Sequence, residues 1–161
     1  MPGTAEEIGV LLRRHQLTVG TVESATGGLI ASLITDISGS SDYFQGAIVT
    51  YSNESKMKLV GVMKETLTTD GAVSAAVAEQ MASGGRSALG VDICIADTGI
   101  AGPSGATPGK PLGLFYLGLC HKDGTFYRRH VFSGSRVERK RQAAETALNW
   151  LKEYLSSLDR R

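Results

Sequence analysis

Residues 18–28 read TVGTVESATGG and continue from Leu29 as LIASLITDI. Residues 18–24 are short and β-branched, which is the composition of a strand. Gly27 and Gly28 follow, and LIASLITDI then carries a helical pattern, so the chain runs strand, glycine turn, helix start. Upstream, residues 5–15 (AEEIGVLLRRH) put Ala5, Ile8, Leu11 and Leu12 on one helical face, with Thr4 as the expected N-cap and Glu6 and Glu7 in the dipole-favoured first turn.

Downstream the alternation continues. Residues 47–51 (AIVTY) form a second expected strand, and residues 52–59 a short helix that begins Ser-Asn. Residues 73–89 are alanine-rich with Ser74 as N-cap, and Gly84-Gly85 weaken the last turn by about 1 kcal/mol each relative to alanine. The nearly continuous apolar run VDICIA, residues 91–96, predicts a central strand. A Gly- and Pro-rich loop, GPSGATPGKP, follows it, of a length that within a compact domain is functional or disordered. Residues 112–120 and 125–132 read as a hairpin turned at Asp123-Gly124, and residues 137–158 as a closing helix. The expected fold is a three-layer α/β/α domain over residues 1–161, with a mixed sheet of five to six strands.

Composition narrows the function classes. In 161 residues, 42% of them hydrophobic, there is material for one core. Seventeen basic and sixteen acidic residues leave a net charge of +1, so no field exists to hold a polyanion and no nucleic-acid partner is expected. Cys94 and Cys120 sit in apolar runs and read as reduced core residues, as expected of a cytosolic protein. His15, His121 and His130 are isolated from one another and from both cysteines, so no metal site and no cofactor is expected. The opening MPGTAEEIGV has the pattern of neither a signal peptide nor an anchor, and no apolar run approaches the roughly 20 residues that cross a bilayer.

Four clusters can carry chemistry. In ESATGG, Gly27 and Gly28 either make a tight turn capped by Ser24, or let a phosphate approach the helix-start amides beside the Ser24 and Thr26 hydroxyls. In TYSNESK, Tyr51, Asn53 and Lys56 leave a strand together. Lys56 is either a solvated lysine or a desolvated general base toward a serine. Thr98 and Gly99 open TGIAGP, whose amides suit an oxyanion and whose glycines also simply build a loop. Finally, Arg136 and Arg141 stand at the head of the last helix, where the dipole disfavours cations unless an anion pairs with them. They are either phosphate clamps or a solvated basic face.

ESATGG, VTYSNESK, GAVS, TGIAGPSG with KPLG, and FSGSR followed by RQAA occur in the order and approximate spacing of the CinA C-terminal domain family, which this chain resembles from about Ala5 to Leu155. The resemblance implies hydrolysis of nicotinamide mononucleotide to nicotinate mononucleotide and ammonia, without a metal. It implies Ser24 as nucleophile, Lys56 as its base and Tyr51 as an aid to proton transfer or orientation. Thr98 and Arg141 are implied as substrate-site residues, and the backbone of Thr26, Gly27 and Gly28 as the phosphate seat. The alternative it leaves open is a catalytically silent nucleotide-binding or interaction module tied to competence or DNA damage. Departures from the family pattern are Ala25 for a common cysteine, Ala47 for a glycine and Ser135 for an aspartate. The expected partners are a small nucleotide and further copies of the same chain, with no membrane and a cytoplasmic location.

Overall fold

A computed structural model describes residues 2–161. The order is α1 (Thr4–His15), β1 (Val19–Glu23), α2 (Leu29–Thr35), β2 (Phe44–Val49), α3 (Asn53–Val60), α4 (Lys64–Asp70), α5 (Ala75–Leu89), β3 (Ile93–Gly99), β4 (Leu114–His121), β5 (Gly124–Val131) and α6 (Arg136–Leu158). Five strands make one sheet in the order β2-β1-β3-β4-β5. The first three are parallel, and β4 and β5 add antiparallel, so the sheet is mixed with β3 at its centre.

Side-chain alternation along the strands assigns the two cores. On β3, Ile93 and Ile95 pack with α1, α2 and α6, while Cys94 and Ala96 face α5 with Val77 and Met81. Continuing the same alternation past Ala96 turns Asp97 toward the α2 side and Thr98 toward the α5 side. Both cysteines are buried and free.

Local departures from the sequence expectations have tertiary causes. Gly3, not Thr4, caps α1, because Thr4 is already helical and its hydroxyl turns to Asn149 of α6 at 3.3 Å. The second strand begins at Phe44 rather than Ala47, since Phe44 and Gly46 pair with Val19 and Gly20. It ends at Val49, although Thr50 N–H still donates to Glu23 O of β1 at 2.8 Å, and Tyr51 leaves the sheet. Helix α4 was not expected from KETLTTD, whose three threonines are weak helix formers. It is held by Gln80 of α5, which accepts from Met63 N–H and donates to Thr66.

Helix α5 runs on to Leu89 despite its two glycines. A Cβ on Gly84 would lie 1.7 Å from the Val60 carbonyl oxygen, and one on Gly85 would lie 2.2 Å from Val22 Cγ2. These glycines let α5 press against α3 and the sheet. Gly84→Ala is therefore expected to destabilise the fold, because overpacking of about 1–3 kcal/mol exceeds the roughly 1 kcal/mol gained in helix propensity. A lower urea midpoint with an unchanged slope is the expected reading, and a raised midpoint would refute the packing argument.

Candidate active site

The carboxyl ends of β1 and β3 and the start of α3 meet at one place. Ser24 is the first residue beyond β1, and Lys56 lies in the first turns of α3. That helix is placed by Ser52, which accepts from Ser55 N–H while the Ser55 hydroxyl accepts from Ser52 N–H. Lys56 is 2% exposed and Ser24 8% exposed. Lys56 Nζ lies 3.0 Å from Ser24 Oγ, 2.8 Å from Thr50 O and 3.5 Å from Tyr51 O. Its pKa is lowered from the ordinary 10.5, chiefly by burial, with the Asp97 charge opposing the shift. Two carbonyls can take the two N–H bonds of a neutral amine, which leaves its lone pair facing the serine hydroxyl.

Beneath this pair the backbone is tied down by two carboxyl groups that the sequence reading left without a role. Asp97 accepts from Ser24 N–H and Thr26 N–H, both at 3.1 Å. Glu23 accepts from the amides of Gly28, Ile30 and Ala31 and from the Thr21 and Thr26 hydroxyls. Asp97 is fully buried, and desolvation pushes its carboxyl up to about 6, with the Thr26 hydrogen bond opposing and the Glu23 charge adding to the rise. The available signal was an acid at the end of a continuously apolar strand, since a carboxyl is not buried without partners.

This network revises the expected phosphate seat. Gly28, Ile30 and Ala31 give their amides to Glu23, and Gly27 gives its amide to Ser24 O, so the start of α2 has no free donors for an anion. In the turn from Ser24 to Gly28, only Ala25 N–H makes no hydrogen bond among the described residues. Thr26, Gly27 and Gly28 line a separate concavity of about 440 Å³ with Lys140 and Arg141.

The cavity over Ser24 measures about 240 Å³, and Tyr51, Asn53, Lys56, Thr98, Gly99 and Arg136 also line it. Thr98 donates its hydroxyl to Ala72 O at 2.7 Å, and Gly99 is required because a Cβ there would lie 2.4 Å from the Phe115 ring. Tyr51 is 63% exposed, and its phenol accepts from Arg136 at 3.1 Å. It meets Lys56 through its carbonyl, so the phenol stands over the site mouth rather than on the proton path. Arg136 also donates to Gly102 O, and Arg139, one of the same basic run at the head of α6, donates to Ala101 O. Arg141 pairs instead with Glu145 at 2.9 Å and does not line this cavity. Arg136, Arg139 and Arg141 at the head of α6 thus find acceptors inside the molecule, which answers the dipole argument for them without an external anion. Ser135 accepts from Glu138 N–H as the N-cap, the role an aspartate would fill equally well. Ala47 is exposed on the edge strand, and Ala25 packs with Ala101 and Ala143. None of the three departures disturbs the Ser24–Lys56 contact.

A buried serine in contact with a buried lysine lies at the strand ends of a three-layer α/β/α domain, an arrangement chemically able to pair a nucleophile with a base. The chain belongs to the CinA C-terminal domain family, whose model matches residues 2–155. A CinA-like protein of Kosmotoga olearia is 47% identical over 154 residues, covering 95% of this chain and 37% of that protein. The chain thus spans little more than a third of the curated relatives it matches. Among solved structures, a CinA superfamily protein of Klebsiella pneumoniae superposes with a TM-score of 0.91 at 30% identity, covering 97% of this chain and 99% of that one. The competence/damage inducible protein CihA from Agrobacterium tumefaciens does so with a TM-score of 0.87 at 38% identity, over 97% and 98% of the two chains. No helix among the described residues is long and apolar enough to cross a membrane.

Proposed function

We propose that this chain is an amidohydrolase that converts nicotinamide mononucleotide and water to nicotinate mononucleotide and ammonia, in cytoplasmic pyridine nucleotide salvage. The observation that carries the reading is the 3.0 Å contact between Lys56 Nζ and Ser24 Oγ, both buried at the floor of one cavity. A silent binding module has no need of a base kept out of water, since burying a lysine opposes its charge.

In this mechanism neutral Lys56 takes the Ser24 proton as Oγ attacks the carboxamide carbon. The free Ala25 N–H, next in chain to the nucleophile, supports the oxyanion. The tetrahedral adduct expels ammonia with the proton held on Lys56. Water then attacks the acyl-serine, Lys56 takes a proton from it and returns one to Ser24, and the carboxylic acid product leaves. The exposed Tyr51 ring offers a face for the pyridine, and Arg136 is the cation nearest to hand for the 5′-phosphate.

Ammonia release from nicotinamide mononucleotide, its riboside and free nicotinamide tests the reading. Release from the mononucleotide with little from the other two is expected, and no release from any carboxamide would overturn it. The geometry further ranks two arginines. Arg136→Met is expected to raise KM for the mononucleotide about tenfold or more, as loss of a charged hydrogen bond of about 1.5–3 kcal/mol implies. Arg141→Met, outside the cavity and paired with Glu145, is expected to change KM less than threefold, a shift under about 0.7 kcal/mol. The opposite ranking would return Arg141 to the phosphate.

A further inference from the structure

Behind the Ser24–Lys56 pair lies a polar cluster that the proposed chemistry does not consume. Glu23 and Asp97 are wholly buried and Thr26 is 1% exposed. Thr26 Oγ1 lies 2.7 Å from Glu23 Oε1 and 2.5 Å from Asp97 Oδ1. A hydroxyl carries a single hydrogen. It can donate to one of these carboxyl groups only, and the other contact closes when that carboxyl brings a hydrogen of its own.

The donors decide which carboxyl that is. Apart from the shared Thr26 hydroxyl, four converge on Glu23, three amides and the Thr21 hydroxyl, against two amides on Asp97. Negative charge is better supported at Glu23, so the Thr26 hydrogen points there and Asp97 Oδ1 supplies the hydrogen of the 2.5 Å contact. Burial already pushes the Asp97 carboxyl up to about 6, and with the hydroxyl turned to Glu23 the Thr26 side chain no longer opposes that rise.

The charged groups that face Asp97 are Glu23 from β1 and Lys56 from α3. Its register partner on β4 is Leu117, and α6 packs on this side with Ala143 and Ala144, while Lys140 points at the Gly27 turn. One proton therefore has two possible seats at the same net charge, Lys56 or Asp97. An ionised Asp97 would draw that proton onto Lys56 and silence it as a base.

We propose that the resting site keeps this proton on Asp97, hydrogen-bonded to Thr26, so that Lys56 meets Ser24 as a neutral amine. Asp97 is then a positioning residue, acting through Lys56 and through the Ser24 and Thr26 amides, and the proposal rests on reading Ser24 and Lys56 as nucleophile and base.

Infrared difference spectra of the full chain at about pH 7, where an ordinary aspartate is ionised, test it. The C=O stretch of a protonated carboxylic acid is expected in the wild type and absent from Asp97→Asn. Its absence from the wild type, or its survival in the variant, overturns the proposal. Should Asp97→Asn fold poorly, wild-type protein labelled with ¹³C at its aspartate carboxyls gives the same answer by NMR. One aspartate still protonated at about pH 7 supports the assignment, and none refutes it. In kinetics, the acidic limb of the Asp97→Asn profile is expected to stay in place, because the group replaced was already neutral. A shift of that limb to lower pH by about one unit would show that Asp97 had been the charged partner of Lys56. Failure of the amidase reading is distinguishable, since a chain that releases no ammonia still yields both carboxyl spectra.

Discussion

Ser24→Ala is expected to fold as the wild type does and to lose about four orders of magnitude or more in kcat, because a nucleophile and its base act as one unit. The loss should fall on kcat with KM little changed, since the Ser24 hydroxyl is one small group among the cavity walls. Folding is insulated because Ser24 anchors the turn through its N–H to Asp97, a contact the alanine keeps. Ammonia release under saturating nicotinamide mononucleotide, beside a circular dichroism melt, measures both halves. Retention of more than about a tenth of the wild-type rate in a folded variant removes Ser24 from the reaction.

Lys56 should produce the second largest effect, and one that depends on pH. Burial lowers its pKa, and the neutral form is the active one, so the rate rises with pH through that lowered value and levels off above it. Below it the amine is charged, has no lone pair, and the serine proton has nowhere to go. Lys56→Met is expected to lose about 10²- to 10⁴-fold, the usual contribution of a general base. Lys56→Arg should lose at least as much, since a guanidinium keeps its charge across the working range and its fork is too large for the pocket between Thr50 O and Ser24 Oγ. The decisive measurement is the pH–rate profile of each variant. Substantial turnover by Lys56→Arg would make Lys56 a positioning charge and transfer the base to water.

Much of the architecture was legible because it depends on periodicity. The run VDICIA announced the central strand, and the closing helix followed from apolar residues at helical spacing. What escaped was decided by contact. Helix α4 forms against its own threonines because Gln80 satisfies it, and α5 keeps two glycines because Val60 and Val22 leave no room for a Cβ. The site divides in the same way. Ser24 and Lys56 were legible as residue types that can serve as nucleophile and base, in motifs that follow strands. The family resemblance paired them; their 3.0 Å contact across 32 residues of chain came only with the structure.

By itself the sequence determined the order of the strands and of every helix but α4, the strand-turn position of Ser24 and the absence of a strong net charge, because composition and period are local properties. Only the tertiary structure decided which hydrogen bonds the amides at the start of α2 make. There the Glu23 carboxylate already occupies the donors that the glycine motif seemed to offer an anion. It alone divided the arginines as well, bringing Arg136 to the Ser24 cavity and leaving Arg141 on Glu145. The physical reason is that a buried donor must be satisfied by whatever acceptor the fold carries to it, and no local pattern of residues records which acceptor that is.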